Sequence, residues 1–134
     1  MPVGVLDTNA VSDLMRDHPK VKARAAAHPE PIISSAIVAG EIRHGLERLP
    51  QGKKRSELEA HAQAVFARIQ VQPATEAIAD IYGRLKAELE RQGITLSDND
   101  LWVAATTIAH GGLLVTRDKG FSQIPGLQVE DWSA

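Results

Sequence analysis

Four carboxylates spread along the chain stand where a hard cation could be held: Asp7, Glu41, Asp100 and Asp118. Asp7 closes the apolar run Val3 to Leu6 and opens an apolar-periodic stretch, so it sits at the end of an expected strand, where the side chain can point out while the backbone is held still. The same placement suits a helix N-cap, and either reading fits. Glu41 lies three residues after Val38 and four after Ile37, at the edge of an apolar helical stripe, where a carboxylate needs a partner, a base such as Arg43 or Arg48 or a cation. Gly40 and Gly45 flank it, each costing about 1 kcal/mol against Ala in a helix, as expected if a backbone or ligand must approach there.

Asp98 and Asp100 both fall in the first turn of an expected helix after Ser97, and Ser97 with Asp100 fits an acidic capping box. Residues two apart point about 200° away from each other, so at most one of the two faces the other acids. Asp100 borders the Leu101 and Ala104 face, and the positive helix end favours its ionised form. Asp98 is then expected to cap or to support from outside. Asp118 follows the run Leu113 to Thr116 in an Asp-Lys-Gly turn signal, so a turn role and a ligand role are both open. Four acids around one crevice repel unless a divalent cation or unusual protonation neutralises them. Oxygen-only ligation favours Mg²⁺ or Mn²⁺ over zinc.

The elements that must position these groups are legible in the periodicity. Short apolar runs at Val3 to Leu6, Ile32-Ile33, around Val71, Leu113 to Thr116 and Leu127 to Val129 read as strands. Helical stripes fall at Val11 to Met15, from Pro19 to Ala27, from Ser34 or Ser35 to about Leu49, and at Leu58 to Ile69. Two more follow, at Ile78 to Leu89 with Gly93 as a C-terminal cap, and from Ser97 to Gly111-Gly112. Strands alternating with helices imply a mostly parallel sheet covered on both faces, a three-layer α/β/α sandwich. In such sheets functional groups gather beyond the carboxyl ends of the strands where strand order reverses, which is where Asp7 and Asp118 fall.

A chain of 134 residues without repeat or linker is expected to form one domain, residues 1–134. The absence of cysteine excludes disulfides, thiolate nucleophiles and cysteine-bound zinc. No membrane span or secretory leader is expected, and the cytoplasm is the expected location. A net charge of −2 argues against coating nucleic acid by bulk positive charge, leaving local patches such as Arg43 to Arg55 and Arg117 with Lys119. His18, His28, His44, His61 and His110 lack ligand spacing and are read as surface or loosely packed, and Trp102 and Trp132 as packing residues.

The segments V-L-D-T-N at 5 to 9, I-S-S-A-I-V-A-G-E-I-R-H-G at 33 to 45, N-D-L-W-V-A-A at 99 to 105 and L-V-T-R-D-K-G-F at 114 to 121 resemble the PIN-domain nucleases, and within them the VapC toxins of type II toxin–antitoxin pairs. Their order and spacing run through essentially the whole chain. The resemblance implies a metal site at Asp7, Glu41, Asp100 and Asp118, with Asn9 and Thr116 as supporting polar residues. Asp98 departs from the pattern, standing where related sequences often have another residue, and a share in metal binding stays open. Implied too are Mg²⁺- or Mn²⁺-dependent hydrolysis of structured RNA, tRNA or rRNA, leaving 5′-phosphate and 3′-hydroxyl ends. A VapB-like antitoxin, a homodimer, and a heterotetramer or larger assembly with the antitoxin complete the expectation. The apolar stripes at Ala36 to Leu49 and Leu58 to Ile69 are candidates for those contacts or for plain core. Two rivals remain: a haloacid-dehalogenase-like phosphohydrolase, although Asn9 occupies the place of its second Asp, and a non-catalytic binding module whose acids only cap helices.

Overall fold

The computed structural model describes residues 2–134. Five short strands form one sheet: β1 (Gly4–Leu6), β2 (Ile32–Ser35), β3 (Gln70–Gln72), β4 (Leu113–Val115) and β5 (Gln128–Glu130). Their order is β3-β2-β1-β4-β5 and every neighbouring pair is parallel. β1 is central, with Val5 opposite both Ile33 and Leu114. All three residues of β1 and of β4 are buried, which is why these segments read as unbroken apolar runs.

Parallel neighbours need crossovers, and six helices supply them: α1 (Thr8–Met15), α2 (Pro19–Ala27), α3 (Ala36–Glu47), α4 (Lys53–Phe66), α5 (Glu76–Arg91) and α6 (Asp98–Ala109), with a 3₁₀ turn at Lys119–Gln123. The chain steps outward from β1 through β2 to β3, then returns across the sheet to β4. Right-handed crossovers therefore place α1 to α4 on one face and α5 with α6 on the other. The result is the expected three-layer α/β/α sandwich, its sheet wholly parallel. Strand order reverses between β1 and β4.

Local chemistry sets the element ends. Ser35, Thr75 and Ser97 each accept a backbone N–H from the first turn of α3, α5 and α6. Both long helices of the second layer end in a Schellman motif. After α5, Gly93 has φ +73° while Gly93 N–H and Ile94 N–H donate to Glu90 and Leu89 carbonyls; after α6, Gly111 has φ +59° and Gly111 and Gly112 N–H donate to Ile108 and Thr107. The histidines are less loose than the sequence reading has them. His18 caps α2 by accepting Val21 N–H, His28 Nε2–H donates to the Pro2 carbonyl and packs on the buried Trp132, and His110 Nδ1–H donates to Thr106. Among the described residues no helix is long and apolar enough to cross a membrane.

Candidate active site

Asp7 leaves β1 with extended backbone, φ −77° and ψ 171°, and takes the N-cap position of α1 without a side-chain capping bond. Its carboxylate is instead turned across the sheet. Oδ2 accepts the Thr116 hydroxyl from the end of β4 at 2.9 Å and Asn9 Nδ2 at 3.4 Å, and the residue is only 5% exposed. Burial raises its pKa above the ordinary value. The Thr8 backbone N–H and the Thr116 hydroxyl pull the other way, and the charges of Glu41 and Asp118 add to the rise.

Glu41, half-buried on α3, accepts the Thr8 hydroxyl at 2.9 Å, a bond across 33 residues that ties the first turn of α1 to the middle of α3. No base is bonded to it. Arg43, one candidate partner, is engaged with Glu47 and Glu59, and Arg55 joins the same exposed network. No other part of the described chain comes close to Gly40 or Gly45, since a Cβ at either would meet nothing within 4 Å, so of the two expected approaches that of a backbone is excluded. The structure offers no account of why glycine stands there.

Asp100 and Asp98 part as the helical geometry requires. Asp98 is exposed and holds Lys86 Nζ and the Tyr82 hydroxyl, both at 2.8 Å, which keeps its carboxyl below the ordinary range. Asp98 is thus anchored to α5. Asp100 is half-buried, its backbone N–H bonded to Ser97 Oγ at 3.1 Å; burial, the charge of Asp7 and that of Asp118 raise its pKa, against a Ser97 hydrogen bond. Asp118 caps the 3₁₀ turn through Gly120 N–H at 2.9 Å, while its own N–H donates to Thr116 Oγ1 at 3.1 Å. The turn reading therefore holds.

Asp7 feels the charges of Glu41 and Asp118, and Asp100 those of Asp7 and Asp118, so the four acids lie within electrostatic reach of one another, with Asp7 and Asp118 just beyond β1 and β4. They meet more loosely than the sequence reading expects. No three His, Cys, Asp or Glu side chains among the described residues are close enough to ligate one ion without side-chain movement. Thr8 and Gly120 hold Glu41 and Asp118 on separate supports, and like charges favour that separation. The donor set is nevertheless all carboxylate and electrostatically strained, a chemistry that fits Mg²⁺ or Mn²⁺. A dication would reverse the two upward pKa displacements at once.

The comparisons with known proteins agree with this fold. A family model described as the PIN domain matches residues 4–127. The chain belongs to the PIN-domain family. This PIN domain is 30% identical over 132 residues to "Ribonuclease VapC2" of Rickettsia felis, with 96% of each chain covered. Among solved structures it is similar to DNA-bound VapBC from Salmonella typhimurium, with TM-score 0.88, 25% identity and coverage of 98% of this chain and 99% of that one. It is also similar to VapBC-5 of Mycobacterium tuberculosis, a member of the VapBC family of toxin–antitoxin systems, with TM-score 0.76, 25% identity and 97% of each chain covered.

Sequence reasoning left the anchors of this PIN domain unresolved. Thr8 holds Glu41, and Lys86 with Tyr82 holds Asp98. Asp13 and Arg117 were not connected at all, yet they form an ion pair across 104 residues. The one signal available was that Asp13 falls a helical turn after Asn9, on the same face of α1.

Proposed function

We infer that the chain is a metal-dependent endoribonuclease of the VapC kind, the toxin of a type II toxin–antitoxin pair, acting on structured RNA in the cytoplasm. What supports the reading is that Asp7 lies within the electrostatic reach of Glu41 and Asp118, and Asp100 within that of Asp7 and Asp118, near the reversal of strand order. These four would hold Mg²⁺ or Mn²⁺. When bound, the ion supplies positive charge and Lewis acidity at the scissile phosphodiester.

The chain's own residues do the rest. Thr116 and Asn9 hold the Asp7 carboxylate through Oδ2, and Thr8 holds Glu41 through Oε1, leaving one oxygen of each carboxylate without a side-chain donor among the described residues. No side-chain nucleophile is needed, since water can attack. The rivals are disfavoured by particular bonds: Asn9 donates through Nδ2 to Thr116 and Asp7 and holds no proton to relay, and Asp7 makes no side-chain capping bond of the kind a mere binding module would use.

The relatives named as VapBC assemblies support a VapB-like antitoxin as this chain's partner; a homodimer, or a heterotetramer or larger with the antitoxin, is the form we propose. A groove of about 490 Å³ between α1, α2 and α4, lined by Leu14, Met15, Ala25, Val65 and Ile69, is the face we assign to that partner. It takes up the lower part of the Leu58 to Ile69 stripe.

The test is cleavage of a total RNA or tRNA pool with added Mg²⁺. Asp7→Asn, Glu41→Gln and Asp100→Asn are each expected to abolish it while circular dichroism is unchanged. Undiminished cleavage by any two of the three, or cleavage in excess chelator, would remove the metal-nuclease reading.

A further inference from the structure

Asp13 is unusual among the acids outside the crevice. Its side chain is 11% exposed on the inner face of α1, and its partner is the guanidinium of Arg117, 46% exposed, between Thr116 and Asp118. A carboxylate buried to that degree is retained only with a cation beside it. Asn9 lies one helical turn earlier on the same face of α1, and its Oδ1 accepts the backbone N–H of Arg117 at 3.2 Å. Residue 117 is thus gripped twice by one helix, through its backbone by Asn9 and through its side chain by Asp13.

The residues on either side share in this grip. Asn9 Nδ2 donates to Thr116 Oγ1 at 2.9 Å, and Thr116 Oγ1 donates to Asp7 and accepts Asp118 N–H. The segment 116 to 118 therefore has no polar anchor to α1 beyond Asn9 except the Asp13 to Arg117 pair. Thr116 N–H is taken by β5 through the Glu130 carbonyl, and the charges of Arg117 and Lys119 also reach Asp131. Without Asp13 the guanidinium would be left to the charge of Asp131 and to solvent, and Asn9 would be the remaining polar tie from α1 to the Asp118 arm.

We propose that Asp13 and Arg117 are a positioning pair that sets the Asp118 arm of the crevice against Asp7, so that both acids can hold one divalent cation. This rests on the metal-site reading above. Neither residue is catalytic: Asp13 acts through Arg117, and Arg117 acts through the backbone of Asp118. Partners at this remove from a metal typically change its affinity by about 10- to 100-fold when lost.

The test is Mn²⁺ binding to the full chain without RNA, followed by calorimetry and by the electron spin resonance signal of free Mn²⁺. Asp13→Asn is expected to weaken Mn²⁺ about 10- to 100-fold, and to lower kcat for RNA cleavage with KM little changed. In an Asp118→Asn background Asp13→Asn should weaken Mn²⁺ no further, because the arm it sets no longer carries a ligand. If Asp13→Asn does not fold, Arg117→Lys serves: it keeps the charge but not the planar fork, and is expected to lose Mn²⁺ affinity with its melting temperature nearly intact.

Unaltered Mn²⁺ affinity in a folded Asp13→Asn or Arg117→Lys overturns the proposal and leaves the nuclease reading standing. So does full additivity with Asp118→Asn. A rise in KM alone from Arg117→Lys, steepening with salt, would make Arg117 a phosphate contact and overturn it as well. No Mn²⁺ binding by the unsubstituted chain would sink the metal site and this pair with it.

Discussion

Asp7 carries a conflict between stability and chemistry. Burial favours its neutral form, while ligation needs the anion, so the native state without metal holds the Asp7 proton more tightly than the unfolded chain does. Below the ordinary value of 3.8 both states are protonated and the group costs nothing. As pH rises through that value and then through the higher folded value the cost appears, and above both it is fully present, at about 1.4 kcal/mol for each tenfold difference in proton affinity. In chelator, Asp7→Asn is therefore expected to raise the melting temperature at neutral pH, with the gain vanishing below about pH 3.8. A lower melting temperature at pH 7 would contradict the assignment. Mn²⁺ should reverse the order by stabilising only the unsubstituted chain.

The acids two apart at the start of α6 give a second contrast at this scale. Asp98 is exposed and committed to Lys86 and Tyr82, whereas Asp100 answers to the charges of Asp7 and Asp118. Asp98→Asn should leave RNA cleavage near the unsubstituted rate, and Asp100→Asn should remove it. Equal losses measured in one cleavage assay would reverse that division.

Elements convert these residues into a site through their ends. Gly111 closes α6 with a positive φ, and Gly112 then turns into β4 so tightly that an added Cβ would lie 2.9 Å from Val5 Cγ2 and 3.0 Å from the Val3 carbonyl. Val5 is in the central strand and cannot easily yield. Gly112→Ala is expected to cost about 1–3 kcal/mol in chemical denaturation, with loss of activity following only from displacement of Thr116 and Asp118 beyond β4. Ala in place of Gly40 tests the opposite case: with open space around it, the substitution should stabilise α3 by about 1 kcal/mol. A destabilised Gly40→Ala would mean that something approaches α3 there after all.

At the scale of the whole molecule, the catalytic and partner-binding assignments fall on different surfaces. The acids sit at the carboxyl ends of β1 and β4, and the apolar groove lies between α1, α2 and α4. Ala64 lines that groove and is exposed. Ala64→Arg is expected to abolish inhibition by the cognate antitoxin while leaving RNA cleavage by the free chain unchanged, read as toxicity that co-expressed antitoxin no longer suppresses. Full suppression would move the docking face elsewhere.

The alternation of apolar strands and amphipathic helices was written in residue types, because burial on both faces of a strand or on one stripe of a helix demands them locally. So were the glycine cap at Gly93, the element-end places of Asp7, Asp100 and Asp118, and the place of Glu41 at the edge of a helical stripe. The pairings that hold those acids were not. Thr8 with Glu41, Thr116 with Asp7 and Arg117 with Asp13 join positions 33, 109 and 104 residues apart. Which polar groups meet over such separations depends on where the crossovers set α1, α3 and β4 relative to one another, and periodicity is blind to that. Only the assembled sheet decided that the Asp7 carboxylate is also bonded from across the sheet, because the pairing of β1 with β4 brings the Thr116 hydroxyl to it.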